Sequence, residues 1–207
     1  MTYTVKEIFY TLQGEGANAG RASIFCRFTG CNLWSGREYD RANAMCKFCD
    51  TDFSGGEKFP TVDVLADRIE STWPNSFSPD NRFVVFTGGE PLLQLDKKLI
   101  DVLHGRKFTQ AVETNGTINA PKGIDWICVS PKANAKINQD YGDEIKLVYP
   151  QPEAPPEKFD RLKFNNFFLQ PMDGPHKEKN TQLAIQYCLK NPKWRLSLQT
   201  HKLIGLR

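Results

Sequence analysis

Nowhere does the 207-residue chain carry an apolar run approaching the roughly 18 residues that a membrane-spanning helix requires, so no membrane partner is expected. Neither sign of charge dominates: 27 Lys and Arg stand against 24 Asp and Glu, a net of +3. That balance excludes an acidic tail and gives no sign of a basic surface built to wrap nucleic acid. The first ten residues, MTYTVKEIFY, set Lys6 and Glu7 among apolar side chains, which is not a signal-peptide pattern. The expected compartment is therefore the cytosol. No internal repeat and no low-complexity tract is visible. Histidine is scarce, with only His104, His176 and His201.

What remains is a globular composition, 40% apolar and 25% charged. A chain of this length buries about 70% of its unfolded surface and can sustain a core as one domain, taken as residues 1–207. The tract PQPEAPPE at 150–157 cannot form regular helix or ladder and is read as a surface excursion. Strands are predicted at Thr4–Thr11, Ala22–Phe28, Phe83–Phe86, Thr109–Glu113, Trp126–Ser130, Glu144–Tyr149, Asn166–Leu169 and Arg195–Gln199. Runs such as FVVF and WICVS are continuously apolar, as in parallel strands buried on both faces. Helices are predicted at Val62–Ser71, Leu92–Leu103 and Thr181–Leu189; in the second, Leu92, Leu93, Leu95, Leu99, Ile100 and Leu103 form an apolar stripe. The expected fold is α/β, a partial TIM-like barrel with parallel strands and few helices, because a complete barrel usually needs about 250 residues.

In such sheets function gathers at the C-terminal ends of the strands. Polar segments follow five predicted strands: TGGEP (87–91), ETNG (113–116), SPK (130–132), QPMDG (170–174) and QTHK (199–202). Each taken alone also suits an ordinary turn. Six cysteines in a chain expected to be cytosolic are not read as disulfides. Cys31, Cys46 and Cys49 cluster in CNLWSGREYDRANAMCKFCDTDF (31–53), with fourteen residues between the first two and two between the last two. Thiolates so placed are soft-metal ligands. Structural zinc wants four closed ligands, so a zinc site would have to recruit His201 or Cys26 from elsewhere. Three ligands with one site open instead describe a 4Fe–4S cluster whose free iron can hold S-adenosylmethionine. Cys26, Cys128 and Cys188 lie in apolar stretches and read as buried structural thiols. Arg27, inside the apolar run IFCRF, is costly there unless an acid such as Glu15 or Asp50, or a ligand, pairs with it.

The pair Cys46-Lys47-Phe48-Cys49, with an aromatic before the last cysteine, resembles the end of the radical S-adenosylmethionine motif, whose usual first gap is three residues rather than fourteen. Together FYTLQGEG (9–16), AGRASIFCRFTGCN (19–32), the long cysteine loop, CDTDF, TGGEP, ETNG, SPK and QPMDG resemble the 7-carboxy-7-deazaguanine synthase family, from about residue 7 to the end. A glycyl-radical activase and a zinc-binding module without catalysis are the rival readings.

The resemblance implies a magnesium-dependent lyase. It would convert 6-carboxy-5,6,7,8-tetrahydropterin to 7-carboxy-7-deazaguanine with loss of ammonia, on the route to queuosine, and use S-adenosylmethionine catalytically. It implies Cys31, Cys46 and Cys49 as cluster ligands and Thr51 as the Mg²⁺ ligand. It implies cofactor contacts from Phe48, Cys49, Asp50, Gly88, Gly89, Glu90, Ser130, Pro131, Lys132, Gln170, Pro171, Met172 and Asp173. Substrate contacts fall on Leu12, Gln13, Gly14, Glu15, Arg27, Thr87, Glu113, His201 and Arg207. His201 and Glu15 are the catalytic candidates, His201 for proton handling because an imidazole titrates near working pH. His104 and His176 read as surface residues. The family also implies a flavodoxin or ferredoxin as electron donor and a homodimer, for which Trp34 and Phe168 are candidate contact aromatics.

Overall fold

The computed structural model describes residues 2–74 and 79–206, so Arg207 lies outside the described residues. Among them one sheet has the order β3-β1-β2-β4-β5-β6-β7-β8-β9. The strands are β1 Tyr3–Leu12, β2 Ala22–Phe28, β3 Glu57–Phe59, β4 Phe83–Gly88, β5 Thr109–Thr114, β6 Trp126–Val129, β7 Tyr141–Tyr149, β8 Lys163–Pro171 and β9 Trp194–Leu196. From β2 through β9 every pairing is parallel. β1 runs antiparallel to both β2 and β3, so one edge departs from the all-parallel expectation. The sheet ends at β3 and β9 without closing, which is the expected partial barrel. The helices are α1 Val62–Thr72, α2 Lys97–Gly105, α3 Lys177–Lys190 and α4 Thr200–Leu203. None of the described helices is long and apolar enough to cross a membrane.

The two-residue period of a strand sorts side chains between the faces. In β2, Ile24, Cys26 and Phe28 are fully buried in the core under α1 and α2, while Phe25 and Arg27 point to the concave side. In β4, Val84 and Phe86 join that core and Phe83 and Val85 form a separate cluster with Ala111, which explains why FVVF is apolar throughout. A further core joins β7, β8 and β9 to α3 through Ile145, Leu147, Leu169, Trp194 and Ala184.

α2 starts later than its apolar stripe suggested. Asp96 accepts a hydrogen bond from the Leu99 amide at 3.0 Å and so caps the helix there. Pro91–Leu93 is a separate short turn in which Leu92 is buried and Leu93 is exposed. Leu99, Ile100 and Leu103 are fully buried. Leu99→Ala is expected to cost about 3 kcal/mol, through lost transfer energy and the cavity left behind, measured by urea unfolding.

β3 and α4 escaped the sequence reading because each is too short to show a period. The 150–157 tract is not simply a surface excursion: Gln151 and Ala154 are buried. Gln151 donates to the Val148 carbonyl at 2.8 Å and accepts from the Ala133 amide at 3.0 Å, which ties the tract to the loop after β6. Cys26 and Cys128 are buried as expected and Cys188 is half-buried. Trp34 and Phe168 are not exposed: Trp34 packs edge-on to Phe53 beneath Arg41, and Phe168 lies under Arg195. Large apolar side chains that are exposed include Tyr39, Leu189, Leu203 and Ile204.

Candidate active site

A cavity of about 810 Å³ opens at the C-terminal ends of the parallel strands. Its wall takes Thr87 and Gly88 from β4, Glu113 and Thr114 from β5, Ser130 after β6, Lys146 and Val148 from β7, and Gln170 and Pro171 from β8. The sheet edges are far apart in sequence, and the segment after β1 crosses the concave side to join them. The Gly16 amide donates to Ser197 Oγ at 3.0 Å, the Ala17 amide to Glu144 Oε2 at 2.8 Å, and the Thr200 amide to the Gly14 carbonyl at 3.0 Å. LQGEG and QTHK, 180 residues apart in the chain, are thereby one surface.

All three clustered cysteines line this cavity. The long loop presents them through a six-residue 3-10 turn, Glu38–Asn43. Arg41 pairs with Glu38 and donates to the carbonyls of Lys47 at 3.2 Å and Cys49 at 3.0 Å, shaping the turn that carries the last two thiols. Ser35 hydrogen-bonds Asp40 within the same loop. A hydrogen bond from Cys46 brings the Cys49 thiol down to about 6, while that same bond and burial push Cys46 up. Burial raises Cys31. Among the described residues no three or more His, Cys, Asp and Glu side chains converge as around a single metal ion, and neither His201 nor Cys26 completes a closed zinc site. Three thiols on one wall, two of them hydrogen-bonded to each other, suit an iron–sulfur cube, whose ligands bind different corners.

The loop after β4 packs against Cys31's own segment. A Cβ on Gly88, whose φ is +139°, would fall 2.1 Å from the Phe28 carbonyl oxygen. One on Gly89 would fall 2.1 Å from the Gly30 carbonyl oxygen and 2.9 Å from Cys31 Cβ. Glycine is required at both, and both line the cavity. Glu90 does not line it: fully buried, it accepts from the Leu92 and Asn115 amides and the Thr114 hydroxyl, and burial raises its pKa. Pro131 is also buried behind the wall. Lys132 does line it, donating to Ser130 Oγ at 2.7 Å, and burial lowers its pKa. Phe48, Asp50, Thr51, Gln170, Pro171, Met172 and Asp173 all face the space. Lys202 of α4 bridges Asp50 at 2.9 Å and Asp173 at 2.6 Å, and its hydrogen bond lowers Asp173.

The opposite wall is polar and buried. Gln13 donates to Glu113 Oε1 at 2.9 Å. Lys146, 5% exposed at its side chain, lies 2.6 Å from Glu15 and 2.9 Å from Glu113. Burial alone would raise Glu15; the adjacent Lys146 charge and hydrogen bonds from Lys146 and Gln199 overcome it and hold Glu15 below the ordinary carboxylate range. Arg27 meets neither Glu15 nor Asp50. Its Nε is 2.8 Å from Glu7, its register partner across the β1–β2 pair, and both face the cavity. Leu12, Gly14, Thr87 and His201 line the same wall, the His201 ring lying over Gly14. His104 sits apart, paired with Asp125, and His176 is exposed. Lys146, Lys202, Gln199 and Arg41 were missed by the sequence reading. The reasoning that singled out Arg27 in an apolar strand applies equally to Lys146 in EIKLVY.

An open, mostly parallel barrel with a three-cysteine loop over its strand ends defines a radical S-adenosylmethionine enzyme. No family model matches the chain. It is 62% identical to the 7-carboxy-7-deazaguanine synthase of Caulobacter vibrioides over 211 residues and 60% identical to that of Bordetella pertussis, in each case over 100% of both chains. It superposes on the crystal structure of QueE from Escherichia coli with a TM-score of 0.76 and 29% identity, covering 97% of this chain and 95% of that one. The chain belongs to the 7-carboxy-7-deazaguanine synthase family.

Proposed function

We propose that residues 1–207 act as one catalytic domain that converts 6-carboxy-5,6,7,8-tetrahydropterin to 7-carboxy-7-deazaguanine with loss of ammonia. The observation that carries this reading is that one cavity of about 810 Å³ joins the three cysteines to the Gln13, Glu15, Glu113 and Lys146 cluster. Cys31, Cys46 and Cys49 would hold a 4Fe–4S cluster. When bound, the cluster and S-adenosylmethionine supply a 5′-deoxyadenosyl radical.

The chain's own residues bind and orient. Phe48, Asp50, Gly88, Gly89, Ser130, Lys132 and the 170–173 segment form the cofactor seat beside the thiols. Glu90 and Pro131 serve it from behind, as supports of the loops that touch it. Gln13, Glu15 and Glu113 take the donor-rich edge of the pterin, and Leu12, Gly14 and Thr87 pack on its ring. Arg27, with Nε committed to Glu7, offers its Nη donors to the substrate carboxylate, a match to the guanidinium fork. His201, beside the acid cluster, handles the proton exchanged with the ring. A hydroxyl at Thr51 suits Mg²⁺, which keeps most of its waters and takes substrate oxygens.

The reductant in this reading is a flavodoxin or ferredoxin. It docks at the cysteine loop, where Tyr39 and Met45 are exposed. The assembled state is a homodimer, supported by exposed Leu203 and Ile204. The test is anaerobic turnover of the carboxy-tetrahydropterin with S-adenosylmethionine, Mg²⁺ and reductant. No deazaguanine product from cluster-loaded protein would end this reading. Thr51→Ala is expected to raise the Mg²⁺ concentration for half-maximal rate about tenfold or more, read from a Mg²⁺ titration.

A further inference from the structure

Among the described residues, Lys146 is a strongly buried cation that bridges two of the acids assigned above to the substrate. It stands on β7 between Ile145 and Leu147, whose side chains are fully buried on the opposite face. Its partners come from elements remote in sequence: Glu15 from the segment crossing the barrel mouth, Glu113 from the end of β5. Each carboxylate oxygen has one donor of its own. Lys146 reaches Glu15 Oε2 at 2.6 Å and Glu113 Oε2 at 2.9 Å, Gln199 donates to Glu15 Oε1 at 2.9 Å, and Gln13 donates to Glu113 Oε1 at 2.9 Å. A carboxylate oxygen accepts from two directions, so both acids keep acceptor capacity toward the cavity. Two anions against one ammonium leave an excess of negative charge where a ligand would present N–H groups.

We propose that Lys146 is a positioning residue that sets substrate specificity: by bridging Glu15 and Glu113 it fixes their separation and keeps both as acceptors for paired N–H donors on one edge of a fused heterocycle. This rests on the function proposed above. Lys146 itself makes no contact with the reacting carbon and acts through the two acids. A ring edge that presents a carbonyl oxygen in place of an amino group would meet acceptors only, and a buried site rejects such a mismatch strongly.

The charged and titratable groups facing this cluster are Glu15 from the crossing segment, Glu113 from β5, Cys128 from β6, Glu144 from β7, Lys132 from the loop after β6 and His201 from α4. Of these, Lys146 is the first to favour the ionised form of Glu15, so its removal raises the Glu15 pKa. Activity requiring ionised Glu15 is then lost at a higher pH as the solution is acidified.

The experiment compares wild type, Lys146→Met, Lys146→Arg and the double variant Lys146→Met with Glu113→Gln, the last restoring the wild-type net charge of the cluster by removing one of its two carboxylates if Lys146→Met alone folds poorly. Calorimetry without reductant gives dissociation constants for the carboxy-tetrahydropterin and for S-adenosylmethionine, and kcat/KM is followed from pH 5 to 9. Lys146→Met should weaken pterin binding about 100-fold and leave S-adenosylmethionine binding within about twofold. Its acidic limb should move to higher pH, and Lys146→Arg should recover pterin binding to within about tenfold of wild type. The double variant should fold and still bind the pterin weakly. Wild-type binding and pH profile in Lys146→Met, or equal losses for both ligands that Lys146→Arg does not rescue, would overturn the inference while wild-type turnover keeps the proposed function. A wild-type protein that makes no product would remove both.

Discussion

Cys46→Ala is expected to purify anaerobically as a colourless protein without bound iron and without turnover, at any concentration of S-adenosylmethionine. The effect is expected to be complete because a cluster held by three thiols would lose one of its three protein ligands, and all three cysteines line the cavity. Cys46 is 5% exposed and its amide donates to the Leu33 carbonyl, so the backbone seat survives the substitution. Stability should fall by only about 1 kcal/mol, the scale of losing a small buried group. Iron and sulfide analysis with a melting curve separates the two effects. Retention of a full iron complement, or one tightly bound zinc in the wild-type protein, would contradict the assignment of these cysteines.

Gly14→Ala should lower kcat/KM about 100-fold while leaving the melting temperature within a few degrees. The added Cβ would stand 2.0 Å from His201 Nδ1, 2.7 Å from its Cγ and 2.9 Å from its Cβ. The peptide cannot retreat, because the Gly14 carbonyl accepts both the Thr200 amide at 3.0 Å and the Thr200 hydroxyl at 2.8 Å. The imidazole must therefore leave its seat, and if it handles the proton as proposed, a displacement of about an ångström or more takes it out of reach of its partner. His201→Ala should cost about as much, and the double variant no more than either alone, since both remove one group's placement. Losses that multiply, or a Gly14→Ala enzyme at wild-type rate, would show that the ring's position over Gly14 is unimportant.

Much of the frame was legible residue by residue. β2 was placed at its observed bounds, Ala22–Phe28, and its alternate residues Ile24, Cys26 and Phe28 do face a core. The apolar run FVVF announced a strand covered on both sides, which β4 is. The loops TGGEP, ETNG, SPK and QPMDG follow strand ends as read, and a parallel sheet puts all such ends on one rim. Three features stayed illegible. A three-residue β3 carries no period. Asp96, rather than the apolar stripe, decides where α2 begins, since one capped amide outweighs a leucine pattern that continues into a turn. Trp34 reads as a dimer-contact aromatic, yet Arg41 and Phe53 fold over it.

Composition and order along the chain determined the class of fold, the clustering of three cysteines and the family, because these depend on residue type and local spacing, which are written in the chain directly. Only the tertiary structure decided that Arg27 answers Glu7, that Lys202 ties Asp50 to Asp173, and that Lys146 lies between Glu15 and Glu113. Electrostatic pairing falls off with distance and is strengthened by burial. Both quantities are set here by sheet register and by the strand-to-strand crossing of residues 13–18, which no local pattern encodes.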